Sequence, residues 1–228
     1  MAQWRRLPVG VRSPVNLALG GALALLVVLL VVLVLVRGTP AYYRDPDTIS
    51  DEQLIEWGEG FVRKANDLLT HIVNKEQFDV TITEEELNGY LASFFRPRVR
   101  QALSGRLSEE YRLELPPGFR GPMVHLREGE VVLMARYEGS RLRPLVSVVG
   151  VPRSDDRGRA HFEVTRVRAG WLPVGAGWVP ALKQLEGESI SLREKHIRLE
   201  RIEVHKGELR VVGGYESSGD GEAVAPPR

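Results

Sequence analysis

"ITEEELNGY", Ile82 to Tyr90, decides how the middle of this chain folds. Glu84, Glu85 and Glu86 are three consecutive carboxylates ahead of an apolar run. Read as chemistry, they suggest paired acids for proton transfer or a cation. Read as folding, they start a helix. Thr83 supplies an N-cap hydroxyl and Glu86, three residues on, completes a capping box. Glu84 and Glu85 fill the first turn, where the helix dipole favours negative charge. Leu87, Tyr90, Leu91 and Phe94 then recur as one apolar stripe. The helix reading accounts for every residue of the stretch, so Glu84 and Glu85 are expected to be exposed helix-start charges and not catalytic groups.

Working outward, Phe78, Val80 and Ile82 alternate with Asp79 and Thr81, the period of a short strand. Upstream, Ser50 and Gln53 have capping-box spacing, and Leu54, Phe61, Ala65, Leu68 and Ile72 recur at helical intervals. This predicts a long amphipathic helix over 51–74, weakened in its first half by Gly58 and Gly60. Downstream, Phe94 to Arg100, FFRPRVR, is expected to end the short helix at Pro97 and run on as a basic surface segment. From about Met123 the pattern is that of antiparallel strands. Arg127–Glu130 and Ser154–Gly158 read as hairpin turns, and Lys206–Gly207 as a third. Ile197 and Leu199, then Ile202 and Val204, shift phase by one residue, which predicts a β-bulge. Trp171 to Glu186 interrupts the strands with an apolar, helix-like segment entered near Pro180.

At the other end of the chain, Leu17 to Val36 reads LALGGALALLVVLLVVLVLV, without a charge. A helix of 20 residues spans roughly 30 Å, the thickness of a bilayer's hydrocarbon. The run exceeds the apolar core of a cleaved leader and ends in Arg37, so a retained anchor is expected. Arg5, Arg6 and Arg12 precede it, which predicts a cytoplasmic N-terminus and an extracytoplasmic main domain. Tyr42 and Tyr43 fall where an interfacial aromatic belt would lie. Gly20 with Ala24, and Ala18 with Ala22, have the small-residue spacing that can bring two anchors together as a homodimer.

The expected organisation is therefore a short basic segment (1–16), a transmembrane anchor (17–36), a Pro-containing tether (37–49), an extracytoplasmic α+β domain (50–215) and a polar, disordered tail (216–228). In the domain, a long amphipathic helix packs on a curved antiparallel sheet with one inserted helix.

Composition narrows the function. Three of the 31 Lys+Arg precede the anchor and no acid does, which leaves 28 bases against 30 acids. A slightly acidic domain argues against nucleic acid as a partner. The chain has no cysteine, which excludes thiol catalysis and thiolate metal sites. Its five histidines, His71, His125, His161, His196 and His205, nowhere stand at ligand spacing. No nucleophile elbow or phosphate loop occurs. No catalytic residue, metal or cofactor is expected.

FDVTITEEELNGYLASFF, with Thr83, Glu86, Leu87, Asn88 and Leu91 in its motif, resembles the strand-then-capped-helix opening of membrane-anchored YpmS-type domains. The segment Leu172–Leu185 between strands and the closing hairpin of 190–213 are similar to the same families, over roughly residues 75–215. Those families are allied to the TULIP lipid-binding fold, in which a long helix lies along a curved sheet. The resemblance implies a lipid or other hydrophobic ligand in the cleft between them. Candidate cleft residues are Phe61, Leu68, Leu87, Leu91, Phe94, Trp171 and Trp178. Arg96, Arg98 and Arg100 are candidates for contact with anionic head groups. The alternative is an envelope scaffold with a fully packed core that binds other proteins. The two differ in cavity volume: a ligand cleft needs several hundred Å³.

Overall fold

The structure, a computed structural model, describes residues 14–105, 117–155, 158, 160–174 and 197–215, with side chains from Leu25 onward. The basic segment with Arg5, Arg6 and Arg12, most of the expected inserted helix including Trp178, and the tail from Glu216 lie outside the described residues, as do the side chains of Ala18, Gly20, Ala22 and Ala24.

Among the described residues the fold is α+β, with four α-helices and antiparallel strands. Helix α1, Pro14–Arg37, has 24 residues and no charge before Arg37. Leu25 to Val32 and Val34 expose their side chains, except Leu33, which is half-buried. Among the residues whose side chains are described, no helix is long and apolar enough to cross a membrane.

Helix α2, Asp51–Val73, starts where Ser50 Oγ accepts from Gln53 N at 3.2 Å. Strand β1, Phe78–Thr83, leads into α3, Glu84–Ala92, through the expected capping box at Thr83 and Glu86. A second short helix, α4, Pro97–Leu103, follows. The sequence reading of an irregular basic segment there is corrected. Pro97 ends nothing; it occupies the first turn of a new helix, where its missing N–H costs no bond. Buried Val99 and Leu103 give that helix an inner face.

Strands β2 (Phe119–Arg127), β3 (Glu130–Tyr137), β4 (Leu145–Ser154), β5 (Ala160–Ala169) and the two-residue β6 (Leu172–Pro173) form one sheet in chain order. Register shifts at Arg120/Met123 and Val149/Gly150 bend it. Strands β7 (Ile197–His205) and β8 (Glu208–Tyr215) join β1 in a second sheet of order β1-β8-β7. The expected bulge is present in β7, between Leu199 and Arg201. The expected curved antiparallel sheet is present, and its ladders divide into two. Alternation along a strand marks which residues face inward but not which strand lies alongside. The two sheets meet at their turns, where Gly129 N donates to Val204 O at 2.8 Å and Leu199 N to Gly158 O at 3.1 Å.

The core lies between α2–α4 and the five-stranded sheet. Leu54, Val62, Ala92, Val99 and Leu103 meet Met123, Val132, Met134, Leu145 and Val149. Residues 37–49, read as a tether, lie against this core. Tyr42 and Tyr43 pack on it, and Ile49 is buried within it. Arg96, three-quarters or more covered, holds the strap down: it donates to Pro46 O at 2.6 Å, to Ile49 O at 3.2 Å and to Asp51 Oδ1 at 2.6 Å.

Candidate functional site

The acid triplet meets β2 at a junction of charged and polar side chains. Each acid has a separate task. Thr83 N donates to Glu86 Oε2 at 2.8 Å, and Glu86 N donates to Thr83 Oγ1 at 3.2 Å. Lys64 Nζ from α2 also donates to Glu86 Oε2, at 2.8 Å, and to Thr81 O at 2.7 Å. Glu86 thus closes the cap and ties α3 to α2. Glu85 is exposed, as expected. Glu84 departs from expectation. Its carboxylate is mostly covered and bonds Leu126 N at 2.8 Å and His125 Nδ1 at 2.9 Å. His125 stands 41 positions away, beyond any local sequence signal.

Asn88 follows Glu84 by one helical turn, so both point the same way. It is 3% exposed, and its amide reads both backbone groups of Val124. Nδ2 donates to Val124 O at 2.9 Å, and Val124 N donates to Oδ1 at 2.7 Å. Among the described strands, β2 is an edge of its sheet. Its free polar groups at Val124 and Leu126 are thus filled by Asn88 and Glu84, with Gly207 N donating to the remaining Leu126 O at 3.2 Å. The geometry is commensurate. Four residues of helix rise about 6 Å, and two residues of strand rise about 6.6 Å. Helix α3 therefore runs along β2 as a side-chain substitute for a neighbouring strand.

On the other side of His125, Tyr42 from the strap stacks at 4.8 Å between centroids and 10° between planes. The Arg127 guanidinium lies over the Tyr42 ring at 4.3 Å. Arg136 lies near Tyr43, 5.9 Å from its centroid, and ion-pairs with Asp45 at 3.2 Å. Burial, then the Asp45 charge, pushes the Tyr43 phenol above its ordinary pKa. The pocket at this junction, lined in part by Tyr42, Trp57, Glu84, Asn88 and Met123, has a volume of about 20 Å³. That is space for about one water. Glu84 and Asn88 both bond backbone groups of β2, so their arrangement fastens an edge strand. Among the described residues no group of three or more His, Asp or Glu is placed to hold a metal ion.

The described candidate cleft residues fall into separate clusters. Phe61 stacks on Tyr90 at 4.4 Å, and Tyr90 meets Phe94 edge-on at 5.1 Å, an aromatic seam between α2 and α3. Leu68 packs with Phe78, Ile197 and Leu199. Leu87 and Leu91 pack with Val124, Leu126, Val131 and Val204. Trp171 stands at the β5–β6 turn against the end of α1. Trp178 lies outside the described residues. Among the head-group candidates, Arg96 is engaged with the strap as described. Arg100 donates to Ser93 O at 3.0 Å and to Phe94 O, closing the end of α3. Arg98 is exposed. Sequence reasoning missed His125, Tyr42 and the double role of Asn88. The one available signal was the motif itself, in which a buried-face Asn follows a cap by five positions.

Compared with known protein families, curated proteins and solved structures, the chain matches none.

Proposed function

We propose that this chain is a single-pass, membrane-anchored, non-catalytic scaffold whose packed domain presents a surface to other proteins of a cell envelope. The N-terminus is cytoplasmic and the domain lies outside. The observation that carries the scaffold reading is the separation of the described candidate cleft residues into distinct packed clusters, beside a junction pocket of about 20 Å³. Ligand pockets run to hundreds of Å³. The anchor reading rests on the uncharged length of α1 and on its exposed leucines and valines.

Leu68→Trp in the full chain tests this. A scaffold with a filled core is overpacked by the indole and loses about 1–3 kcal/mol, with a lower Tm and no bound lipid to lose. An unchanged Tm with loss of a co-purifying lipid would instead establish a cleft. Protease applied to the outside of spheroplasts should remove the domain and spare α1.

The second reading keeps the TULIP-like relation and a lipid ligand. It is favoured by the half-buried side chains of Leu68 and Ile72 on α2 and of Leu87 and Leu91 on α3. Native mass spectrometry of the full chain, scored for a stoichiometric lipid, separates the two.

A further inference from the structure

The end of α1 is joined to the domain and does not merely precede it. Trp171 N donates to Leu35 O at 2.8 Å, and Gly170 N donates to Leu145 O at 2.7 Å. Gly170 has φ +61°, and a Cβ there would stand 2.4 Å from the carbonyl oxygens of Leu35 and Val36. Only glycine admits this approach. The joint fixes which end of the five-stranded sheet adjoins α1. Strand β4 begins at Leu145 and β5 ends at Ala169, with Val146 opposite Ala169. The β3–β4 turn, residues 138–144, is therefore at that same end.

This end carries an unusual set of side chains. Trp171 is 51% exposed and Leu142 is 38% exposed, two large apolar groups in water on adjacent turns. Arg141 and Arg143 flank Leu142, and Arg37 closes α1; all three are exposed. No ion pair involves them among the described residues. The acid of that turn, Glu138, is already paired with Arg120 at 2.8 Å. Arg143 holds φ +43°, a conformation that non-glycine residues seldom adopt, and its N–H donates to Ser140 O at 3.2 Å. The turn thus presents Arg-Leu-Arg at the end of the sheet that adjoins α1.

We infer that this end of the domain, Arg37, Arg141, Leu142, Arg143 and Trp171, docks on the surface of an anionic lipid bilayer beside its own anchor. The inference rests on the anchor reading above. Its chemistry is that of an interface: Trp and Leu enter the head-group region while arginines pair with lipid phosphates and anionic head groups. The domain then stands on the membrane at a set orientation, and the distal turns, such as Lys206–Gly207, point away.

The chain has no cysteine, so single probes can be placed at will. Full-length Leu142→Cys, Lys206→Cys and Leu29→Cys variants, each labelled with a nitrobenzoxadiazole fluorophore, are reconstituted into phosphatidylcholine vesicles with and without phosphatidylglycerol. Doxyl-labelled lipid serves as quencher. The probe at 29 is quenched in both vesicles and that at 206 in neither. The probe at 142 is quenched and blue-shifted in the anionic vesicles and several-fold less in the neutral ones. Adding Arg141→Glu and Arg143→Glu to the probe variant reduces the docked-to-free ratio by roughly fivefold or more per arginine. A probe at 142 as wet as that at 206, with 29 quenched, overturns the docking surface and leaves the anchor standing. Equal quenching at 142 in both lipids overturns the anionic selectivity. An unquenched probe at 29 overturns the anchor, and the inference with it.

Discussion

Asn88 exchanges two hydrogen bonds with Val124, its amide donating to the carbonyl at 2.9 Å and its oxygen accepting from the N–H at 2.7 Å. A side chain thereby does for an edge strand what a neighbouring backbone would do. Edges left open invite pairing with other chains, and this one is closed by its own helix. Asn88→Ala leaves two buried backbone groups without partners, at about 1–3 kcal/mol each before relaxation. Denaturant titration of the full chain should show a loss of about 3 kcal/mol. Asn88→Asp keeps the acceptor but turns a second oxygen toward Val124 O, so it should rescue less than half. A loss under about 1 kcal/mol in Asn88→Ala would mean that water replaces the amide freely.

The acids of the triplet should separate on mutation. Glu85→Gln touches an exposed side chain and should change stability by less than about 0.5 kcal/mol. Glu84→Ala strips the partner from Leu126 N and His125, at about 1–3 kcal/mol. Thr83→Ala removes the cap, at about 1 kcal/mol. Equal effects at positions 84 and 85, measured by thermal melts, would contradict the edge-fastening role.

Gly58 and Gly89 mark the crossing of α2 and α3. A Cβ on Gly89 would stand 2.3 Å from Gly58 N and 2.7 Å from Leu54 O, both backbone atoms that cannot swing aside. Gly89→Ala should therefore push the helices apart and cost about 1–3 kcal/mol, despite alanine's better helix propensity. The aromatic seam of Phe61, Tyr90 and Phe94 should loosen with it. Near-ultraviolet circular dichroism reads that change, and a Gly89→Ala protein with wild-type signal and Tm would refute the close crossing.

Strand β1 is held to β8 by an exposed pair, with Arg210 Nε donating to Asp79 Oδ1 at 2.8 Å. That hydrogen bond, and then the guanidinium charge, lowers the Asp79 pKa below its ordinary carboxylate value. The folded state therefore binds this proton less readily than the unfolded chain. Its stabilisation is present above the unfolded pKa, about 3.9, and is lost as pH falls through the lower folded value. Wild type and Asp79→Asn should differ in stability at pH 7 and converge only as pH falls below the lowered folded pKa. A difference that persists undiminished into acid would exclude the ion pair as its origin.

The elements themselves were legible in the sequence because their causes are short-range. Ser50 with Gln53, and Thr83 with Glu86, are caps closed within three residues. The hairpin turns at Glu128–Gly129 and Lys206–Gly207, and the phase shift in β7, follow from alternation along a few positions. What those elements do to one another was decided only by tertiary structure. Glu84 finds His125 across 41 positions, Asn88 finds Val124 across 36, and Arg96 finds Pro46 across 50. Capping chemistry fixes where a helix begins, but its far face is chosen by whichever unpaired backbone lies alongside. The acid triplet was thus readable as a helix start, while its first carboxylate and the asparagine one turn later acquired their work from an edge strand that only the folded chain brings near. The same holds for residues 37–49. Two prolines and no periodicity read as a free tether, and buried Pro46 and Ile49, the Tyr42–His125 stack and the Arg96 bonds lay it on the core, because packing energy arises between segments and leaves no pattern within one.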